Sequence, residues 1–199
     1  MRTPAENAQL ALLLEVAGTP KPGNVDRRRD LPDLRFEHFL AGAVGVGPGL
    51  RAAGEGASVG EAFEMAVAGM ADQSGGNTQF GALLLLVPLV ATAAEGELTG
   101  DAVRSVVEGT TVEDAADFYR AFDHVAVSVD DPPADAEVPD VRRGSDAVAD
   151  VEAAGLTLRD VMAAAADHDD VAREWVEGFE RSFAAADRIA SRSGPVPDR

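Results

Sequence analysis

Apolar residues recur every three or four positions along most of the chain, which is the spacing of one buried helix face. The first such run covers residues 10–16, and it ends close to a glycine. Further helices are predicted over residues 34–53, 81–94, 99–108, 111–122 and 169–191. The pattern therefore predicts a protein built almost entirely of helices.

Capping residues mark where several of these helices begin. Thr3 is followed by Pro4 and by Glu6, which combines a capping hydroxyl, a first-turn proline and an acid three positions later. The same pairing of a hydroxyl with a later acid occurs at Ser58 with Glu61 and at Thr157 with Asp160. Each pairing predicts the first turn of a helix.

The remaining segments carry weaker patterns. Residues 124–129 have the composition of a short strand, but a single strand has nothing to pair with. Residues 130–144 contain three prolines and several acids, so a loop is predicted there, and residues 193–199 are expected to form a flexible tail. We therefore predict an all-α, single-domain helical bundle over residues 1–192.

Composition narrows the class of protein. The chain has 199 residues, 46% of them hydrophobic but only 5% aromatic, which favours a helical core over a sheet. Cysteine is absent, which excludes disulfides, thiolate metal sites and a cysteine nucleophile. The longest apolar stretch contains Pro88 and is too short to span a bilayer, and the N-terminus lacks a signal-peptide pattern. A cytoplasmic location without membrane contact is therefore expected.

The net charge of −18 is far outside the usual range. Such a charge repels nucleic acid and anionic membranes, so neither is expected as a partner. The acids are spread along the whole chain, which is typical of a halophilic protein whose self-repulsion is screened by concentrated salt. The charge therefore indicates the environment of the protein, and the chemistry has to be sought in local motifs.

The most informative segment follows the first helix. Lys21 is the only lysine of the chain, and it lies between Pro20 and Pro22, which restrict the backbone on either side. Gly23 permits a close turn, and Arg27, Arg28 and Arg29 add three more cations within nine residues. A rigid loop with convergent cations suits a phosphate chain, so Lys21, Gly23, Asn24 and Arg27 are predicted to bind phosphate. An ordinary loop between helices, whose basic residues pair with surface acids, remains the alternative.

Two acids beside this loop are candidates for catalysis. Glu15 lies in the apolar run near a helix C-terminus, where both burial and the helix dipole disfavour a negative charge. We therefore expect Glu15 to be buried and to act as a general base, although a simple ion pair with Lys21 or Arg27 is the alternative. Asp26 is the second candidate for a catalytic or metal-binding carboxylate.

A second turn could complete the site. Gly75 and Gly76 allow the backbone to approach a ligand, and Asn77 and Thr78 add side-chain donors before the apolar helix that runs through residue 94. Asn77 or Thr78 is also expected to cap that helix, and a cap with no ligand is the alternative interpretation. The functional interpretation requires residues near positions 20 and 76 to meet across one cavity.

Acids near the start of the last helix could contribute to a metal site. Asp169 and Glu174 belong to an acidic first turn, and the like charges of Asp170 and Glu174 four residues apart would be better tolerated with Mg²⁺ nearby. Glu15, Asp26, Asp169 and Glu174 are therefore candidate Mg²⁺ ligands. A solvated acidic helix start is the alternative.

Taken together, these motifs resemble those of the triphosphoribosyl-dephospho-CoA synthase family (ATP:dephospho-CoA triphosphoribosyltransferases). The matching pieces are Glu15-Val16, Thr19-Pro20-Lys21-Pro22-Gly23, Val25-Asp26-Arg27 and Gly75-Gly76-Asn77-Thr78 followed by Gly81. The resemblance implies an all-α fold and transfer of a triphosphoribosyl group from ATP to a ribose hydroxyl of dephospho-CoA, with release of adenine.

The sequence also departs from the bacterial pattern of this family. Arg29-Asp30-Leu31-Pro32 stands in place of a Gly-Ala-His segment. The turn at residues 74–78, which we call the glycine loop, lacks the histidine and lysine that follow Asn-Thr in bacterial members. The chain is therefore similar to a divergent, archaeal-type branch. A different acceptor for the same ATP site and a non-catalytic nucleotide-binding helical protein remain alternatives, and assembly into a homodimer is left open.

Overall fold

The described part of the chain is helical throughout. The computed structural model describes residues 1–129 and 137–192, and within these ranges it contains no β-sheet. The N-terminal half consists of α1 (Pro4–Ala17), α2 (Phe36–Gly45), α3 (Gly47–Gly54), α4 (Val59–Ala71) and α5 (Phe80–Glu95). The C-terminal half consists of α6 (Gly100–Glu108), α7 (Val112–Ala121), a 3-10 helix (Val141–Ala147), α8 (Val148–Ala154), α9 (Leu158–Ala165), α10 (Asp170–Glu177) and α11 (Glu180–Ala190). The predicted all-α fold is confirmed.

The helix starts that the sequence predicted are confirmed by capping hydrogen bonds. The Thr3 hydroxyl accepts the Glu6 N–H at 3.2 Å, and the Glu6 carboxylate accepts the Thr3 N–H at 2.8 Å. Ser58 caps α4, and Thr157 caps α9 through a reciprocal pair of bonds with Asp160. These bonds satisfy amide groups that would otherwise lack a partner at the helix ends.

The core is centred on α4, α5 and α7. Phe63, Phe80, Phe118 and Phe122 form an aromatic cluster, with ring centroids 4.9–5.1 Å apart for the two closest pairs. α10 packs on α5, where the buried Trp175 donates its Nε1–H to the carbonyl of Leu84 at 3.0 Å. One continuous apolar cluster thereby joins the two halves of the chain.

Helix α2 crosses α4 very closely. A Cβ added to Gly45 would lie 2.7 Å from the carbonyl carbon of Gly69, so both positions require glycine for the backbones to approach this far. This crossing fixes α2 against the C-terminal end of α4, from which the glycine loop departs.

Two predicted helices are each divided in the structure. The helix predicted over residues 34–53 is broken at Val46, and Pro48 lies in the first turn of α3, where its missing N–H is harmless. The long helix predicted over residues 169–191 was also wrong, because Gly178 and Phe179 adopt left-handed conformations with φ of 71° and 62°. The chain turns there and starts α11.

The predicted loop and tail are described only in part. Residues 124–129 form no strand, which agrees with the lack of a pairing partner. The loop predicted over residues 130–144 ends earlier than expected, because the 3-10 helix begins at Val141. Residues 130–136 and the predicted tail, residues 193–199, lie outside the described residues.

Among the described helices, none is by itself long and apolar enough to cross a membrane. Only α5 and α6 together reach that length and hydropathy, and they are bent by 110° at their junction.

Candidate active site

The two predicted phosphate-binding segments meet at one cleft of about 370 Å³. Glu15 and Asn24 line it from the side of α1 and the following loop, and Asn77 and Thr78 line it from the side of the glycine loop. Phe39 of α2 contributes an apolar wall. The sequence-based expectation that residues near positions 20 and 76 share a cavity therefore agrees with the geometry.

Asp26 holds the loop between α1 and α2 in shape. Its Oδ2 accepts the Lys21 N–H at 2.9 Å and the Thr19 hydroxyl at 3.2 Å, and its Oδ1 accepts the Arg28 N–H at 2.7 Å. The N–H of Arg28 and then that of Lys21 lower the pKa of Asp26, with partial burial opposing them. Both oxygens are thus engaged by the loop. The contacts make Asp26 a positioning residue, and its predicted catalytic and metal-binding roles gain no support from them.

Gly23 and Asn24 form the turn that the sequence predicted. Gly23 has a φ of 80°, which is a left-handed conformation that favours glycine. The Asn24 N–H donates to the Lys21 carbonyl at 3.2 Å, and the Asn24 side chain accepts the Val25 N–H at 2.8 Å. The turn directs Asn24 to the cleft.

Lys21 and Glu15 form an ion pair beside the cleft. The Lys21 Nζ is buried and lies 5.9 Å from the centroid of the Phe39 ring, a cation–π arrangement. Among the described residues the Glu15 carboxylate is the one acceptor in contact with this ammonium, which leaves part of its donor capacity unused. The expected burial of Glu15 was wrong, because its side chain is 51% exposed.

The guanidinium groups of the three arginines after Asp26 make no ion pair with the described part of the chain. Arg27, Arg28 and Arg29 are exposed, and their guanidinium groups make no ion pair with any residue in 1–129 or 137–192. This differs from the surface-loop alternative, which required pairing with nearby acids. The three guanidinium groups therefore carry positive charge that no ion pair with a described residue offsets.

The glycine loop is braced from behind by its neighbours. Gln73 donates to the Gly76 carbonyl and accepts the Gly75 N–H, both at 2.6 Å. A Cβ on Gly75 would lie 2.8 Å from the Cβ of His38 and would overlap the imidazole ring. Gly75 and Gly76 are not among the residues that line the cleft, and these contacts instead fix the wall that carries Asn77 and Thr78.

Asn77 combines a structural contact with its place in the cleft. Its Oδ1 accepts the N–H of Phe80, the first residue of α5, at 3.1 Å, although Gln79 occupies the N-cap position in place of the predicted Asn77 or Thr78. The bond uses the carbonyl oxygen and leaves the amide nitrogen as a donor. A cap and a ligand contact are therefore compatible at this residue.

The predicted contribution of Asp169 and Glu174 is not supported. Asp169 caps α10 by accepting the Ala172 N–H at 2.8 Å. Glu174 is buried and accepts the N–H groups of Arg181 and Ser182 and the Ser182 hydroxyl, at 2.6–3.1 Å. Neither residue lines the cleft. Within residues 1–129 and 137–192, no group of three or more His, Asp or Glu side chains is arranged to hold a metal ion.

Sequence reasoning did not assign Phe39, His38 or Gln79 to the site. His38 supports the glycine loop, with its Nδ1 accepting the Arg35 N–H at 3.2 Å and its Nε2 lying 3.4 Å from the Ser74 hydroxyl. Gln79 is buried and donates to the Phe39 carbonyl at 3.4 Å. The only sequence signal for this part of the site is that the aromatic residues Phe36 and Phe39 lie close to His38.

A larger groove of about 700 Å³ lies at the opposite end of α5 and includes Ser58, Glu95 and Asp114. Burial alone would raise the pKa of Asp114, but hydrogen bonds from the N–H of Gly60 and from Thr111 outweigh it and lower the pKa. Those bonds occupy both carboxylate oxygens. None of the predicted site residues lies in this groove, so the smaller cleft carries the candidate chemistry.

Comparison with known proteins identifies the family. Searches of curated proteins and of solved structures gave no match. The family profile of CitG, described as ATP:dephospho-CoA triphosphoribosyl transferase, matches residues 1–198, which is nearly the whole chain. The chain therefore belongs to the ATP:dephospho-CoA triphosphoribosyl transferase family and is an enzyme that transfers a triphosphoribosyl group from ATP to dephospho-CoA.

Proposed function

We propose that the cleft between the glycine loop and the loop that joins α1 to α2 holds the triphosphate of ATP during this transfer. We call the latter, residues 18–35, the Lys21 loop. The single observation that carries the proposal is that Glu15 and Asn24 meet Asn77 and Thr78 across one cavity. Sites for small ligands are typically about 300–1,000 Å³, so a cleft of about 370 Å³ has room for the phosphate end of a nucleotide. The rest of ATP and the acceptor would extend over the rim.

Lys21 is suited to bind the triphosphate because its ammonium is held beside the cleft by Glu15 and has three donors, of which this contact uses only part. A phosphate oxygen would accept a charge-assisted hydrogen bond from it, which is among the stronger polar contacts in proteins. Arg27 would add a second cation from the rim, and Asn77 and Thr78 would donate from the opposite wall. Asp26 supports this arrangement by fixing the backbone of the loop.

Glu15 is our candidate for the general base. Its carboxylate lines the cleft and is half exposed, so it can reach an acceptor hydroxyl, whereas both oxygens of Asp26 are occupied. The hydroxyl oxygen attacks C1′ of the ATP ribose, and the bond from C1′ to N9 of adenine breaks, with its electron pair leaving on adenine. The proton taken from the hydroxyl balances the one that adenine gains, so no further reactant is consumed.

Magnesium is proposed as an ion carried mainly by the substrate. Mg²⁺ commonly binds through one or two carboxylates together with phosphate oxygens and water. Glu15 is an exposed carboxylate in the cleft and fits such a mode, whereas Asp169 and Glu174 are committed to helix capping. Bound in this way, the ion would neutralise phosphate charge.

The proposed roles can be tested with Glu15→Gln and Lys21→Gln. With ATP, Mg²⁺ and dephospho-CoA, we expect Glu15→Gln to lower the rate of adenine release about 10²- to 10⁴-fold while ATP binding persists. We expect Lys21→Gln to weaken ATP binding about tenfold or more, because it removes a charged hydrogen bond. Chromatography measures adenine, and calorimetry measures binding.

Glu97→Gln is a matched control for these variants, since Glu97 is exposed beyond the far end of α5. Full turnover by Glu15→Gln would contradict its role as the base. ATP binding by the wild-type protein without any release of adenine would favour a non-catalytic nucleotide-binding protein. Release with another acceptor but none with dephospho-CoA would overturn the assignment of the acceptor.

The setting of the protein is likewise a proposal. We propose a cytoplasmic enzyme of a salt-rich cell, because ATP is a cytoplasmic substrate and the net charge is −18. Salt screens this self-repulsion, so the melting temperature should rise between 0.1 M and 2 M KCl. A melting temperature that falls or stays constant would argue against the halophilic interpretation. Light scattering at several concentrations would test whether the protein forms a homodimer, which the sequence leaves open.

A further inference from the structure

Residues 26–29 form a tight turn that we call the arginine hairpin. The Asp26 N–H donates to the Arg29 carbonyl at 3.0 Å, and the Arg29 N–H donates back to Asp26 at 3.2 Å. The Asp26 carboxylate also accepts the Arg28 N–H from within the turn. Three consecutive arginines therefore project from a backbone that is held by three hydrogen bonds.

The arginine hairpin is unusual in so acidic a protein. The chain has 35 acidic and 17 basic residues, so an arginine has many acids available as partners. Arg120, for example, pairs with Glu113 and Asp117, and Arg181 pairs with Asp170. The hairpin arginines make no such pair with the described residues, although their mutual repulsion would be relieved by one. Their charge is thus available to an external anion.

The hairpin stands next to the cleft without being part of it. Asn24 lines the cleft, and the Cα atom of Arg28 follows four residues later, which limits their separation to roughly 15 Å. Arg29 lies opposite Asp26 in the turn, and Asp26 in turn binds the backbone of Lys21. The arginines therefore lie near the cleft, on the side of the Lys21 loop, and close enough for a ligand in the cleft to extend to them.

The chemistry of the reaction requires two anion sites. ATP carries a triphosphate and dephospho-CoA carries a diphosphate, and both must be bound when the acceptor hydroxyl meets C1′. A cleft of about 370 Å³ with one buried ammonium suits one phosphate chain, so the second chain needs cations outside it. A guanidinium group can donate two parallel hydrogen bonds to two phosphate oxygens, and it remains charged at any physiological pH.

We propose that Arg28 and Arg29 of the arginine hairpin bind the diphosphate of the acceptor, and so act as residues that determine acceptor specificity. The inference rests on the proposed function, in which Lys21, Arg27 and the glycine loop hold the triphosphate of ATP. It divides the cations of one loop between the two substrates, with Lys21 and Arg27 serving the donor and Arg28 and Arg29 serving the acceptor.

The test compares the double variant Arg28→Gln/Arg29→Gln with the wild-type enzyme and a control that is matched in charge. Arg188→Gln/Arg192→Gln removes two exposed arginines from the C-terminal end of the chain and changes the net charge equally. KM is measured for dephospho-CoA and for ATP by adenine release. Adenosine, which has the ribose hydroxyl but no diphosphate, serves as a second acceptor.

We expect the hairpin variant to raise KM for dephospho-CoA about tenfold to hundredfold, because charged hydrogen bonds are lost. KM for ATP should change less than about threefold, and the preference for dephospho-CoA over adenosine should shrink by the factor lost on dephospho-CoA. The control variant should leave all three quantities unchanged.

Other outcomes would overturn the inference. An equal rise of both KM values would assign the hairpin to the donor or to general electrostatics, and unchanged values would remove it from the site. A preference for dephospho-CoA over adenosine that survives the substitution would show that the diphosphate is bound elsewhere. Failure of the proposed function looks different, since the wild-type protein would then release no adenine at all. In that case, unaltered calorimetric binding of dephospho-CoA by the hairpin variant would still refute the subsite.

Discussion

Substitution of Gly75 by alanine should displace the glycine loop while leaving its chemistry intact. The added Cβ would lie 2.8 Å from the Cβ of His38, about 0.6 Å short of ordinary van der Waals contact at 3.4 Å. The root of the His38 side chain cannot rotate away, because it is attached directly to α2. The loop must therefore move by roughly this distance, and Asn77 and Thr78 move with it.

The expected effect follows from the precision that catalysis requires. A displacement of about 1 Å can lower a rate about a hundredfold, so a shift of about 0.6 Å should lower kcat/KM for ATP by about tenfold or more. Adenine release at subsaturating ATP measures this loss. Gly54→Ala is the control, because a Cβ there would lie 3.7 Å from Val90, which is ordinary contact.

His38→Gly provides the second arm of the experiment. It removes the ring and the Cβ that the new methyl group meets, so the same Gly75→Ala change should cost little activity in that background. The comparison forms a double-mutant cycle in which the loss from His38→Gly alone is subtracted. An equally large loss from Gly75→Ala in both backgrounds would refute the steric argument, and a fully active Gly75→Ala enzyme would separate the loop from function.

Three further predictions concern residues that the structure places unambiguously. Burial and the nearby negative charge of Asp140 raise the pKa of Tyr119 to about 12. Since the unfolded pKa is about 10, its contribution to stability is present below pH 10 and is lost as the pH rises towards 12. Tyr119 is the only tyrosine of the chain, so the change in absorbance on its ionisation should have its midpoint near pH 12 in the folded protein. A midpoint near pH 10 would contradict the structure. Glu174→Ala should lower the free energy of unfolding by about 1–3 kcal/mol in urea titrations, because it uncaps α11, whereas the exposed Glu177→Ala should change it little. Lys21→Arg should weaken ATP binding despite keeping the charge, because a guanidinium is larger than the buried ammonium that it replaces; binding equal to wild type would show that charge alone suffices.

The sequence predicted the helices whose signals are local. A capping hydroxyl and an acid three residues later act within a single turn, so Thr3 and Thr157 could be assigned correctly without any tertiary contact. The break after α10 depends instead on Glu174, whose carboxylate reaches forward to the amides of Arg181 and Ser182. The apolar periodicity of residues 169–191 continues across this break, so the sequence predicted a single long helix.

The site shows the same division between local and tertiary information. The order of the motifs predicted which segments meet. The direction in which each carboxylate points depends on tertiary contacts, so it could not be predicted from the sequence. Glu15 was expected to be buried because its neighbours are apolar, yet Leu14 beside it is itself 44% exposed. The run of leucines is longer than the face of α1 that the core covers, which consists of Ala5, Ala8, Leu12 and Val16.

The Lys21 loop explains how a strongly acidic protein can hold a polyanion. One carboxylate, Asp26, is used entirely to shape the backbone, so its negative charge points towards amides and away from the cleft. The ammonium of Lys21 is held between Glu15 and the Phe39 ring, where bulk salt screens it poorly because it is buried. Long-range attraction cannot bring ATP to a surface of charge −18, particularly in concentrated salt. Affinity must then arise from short-range contacts, and a preorganised, dehydrated cation is the feature that supplies them.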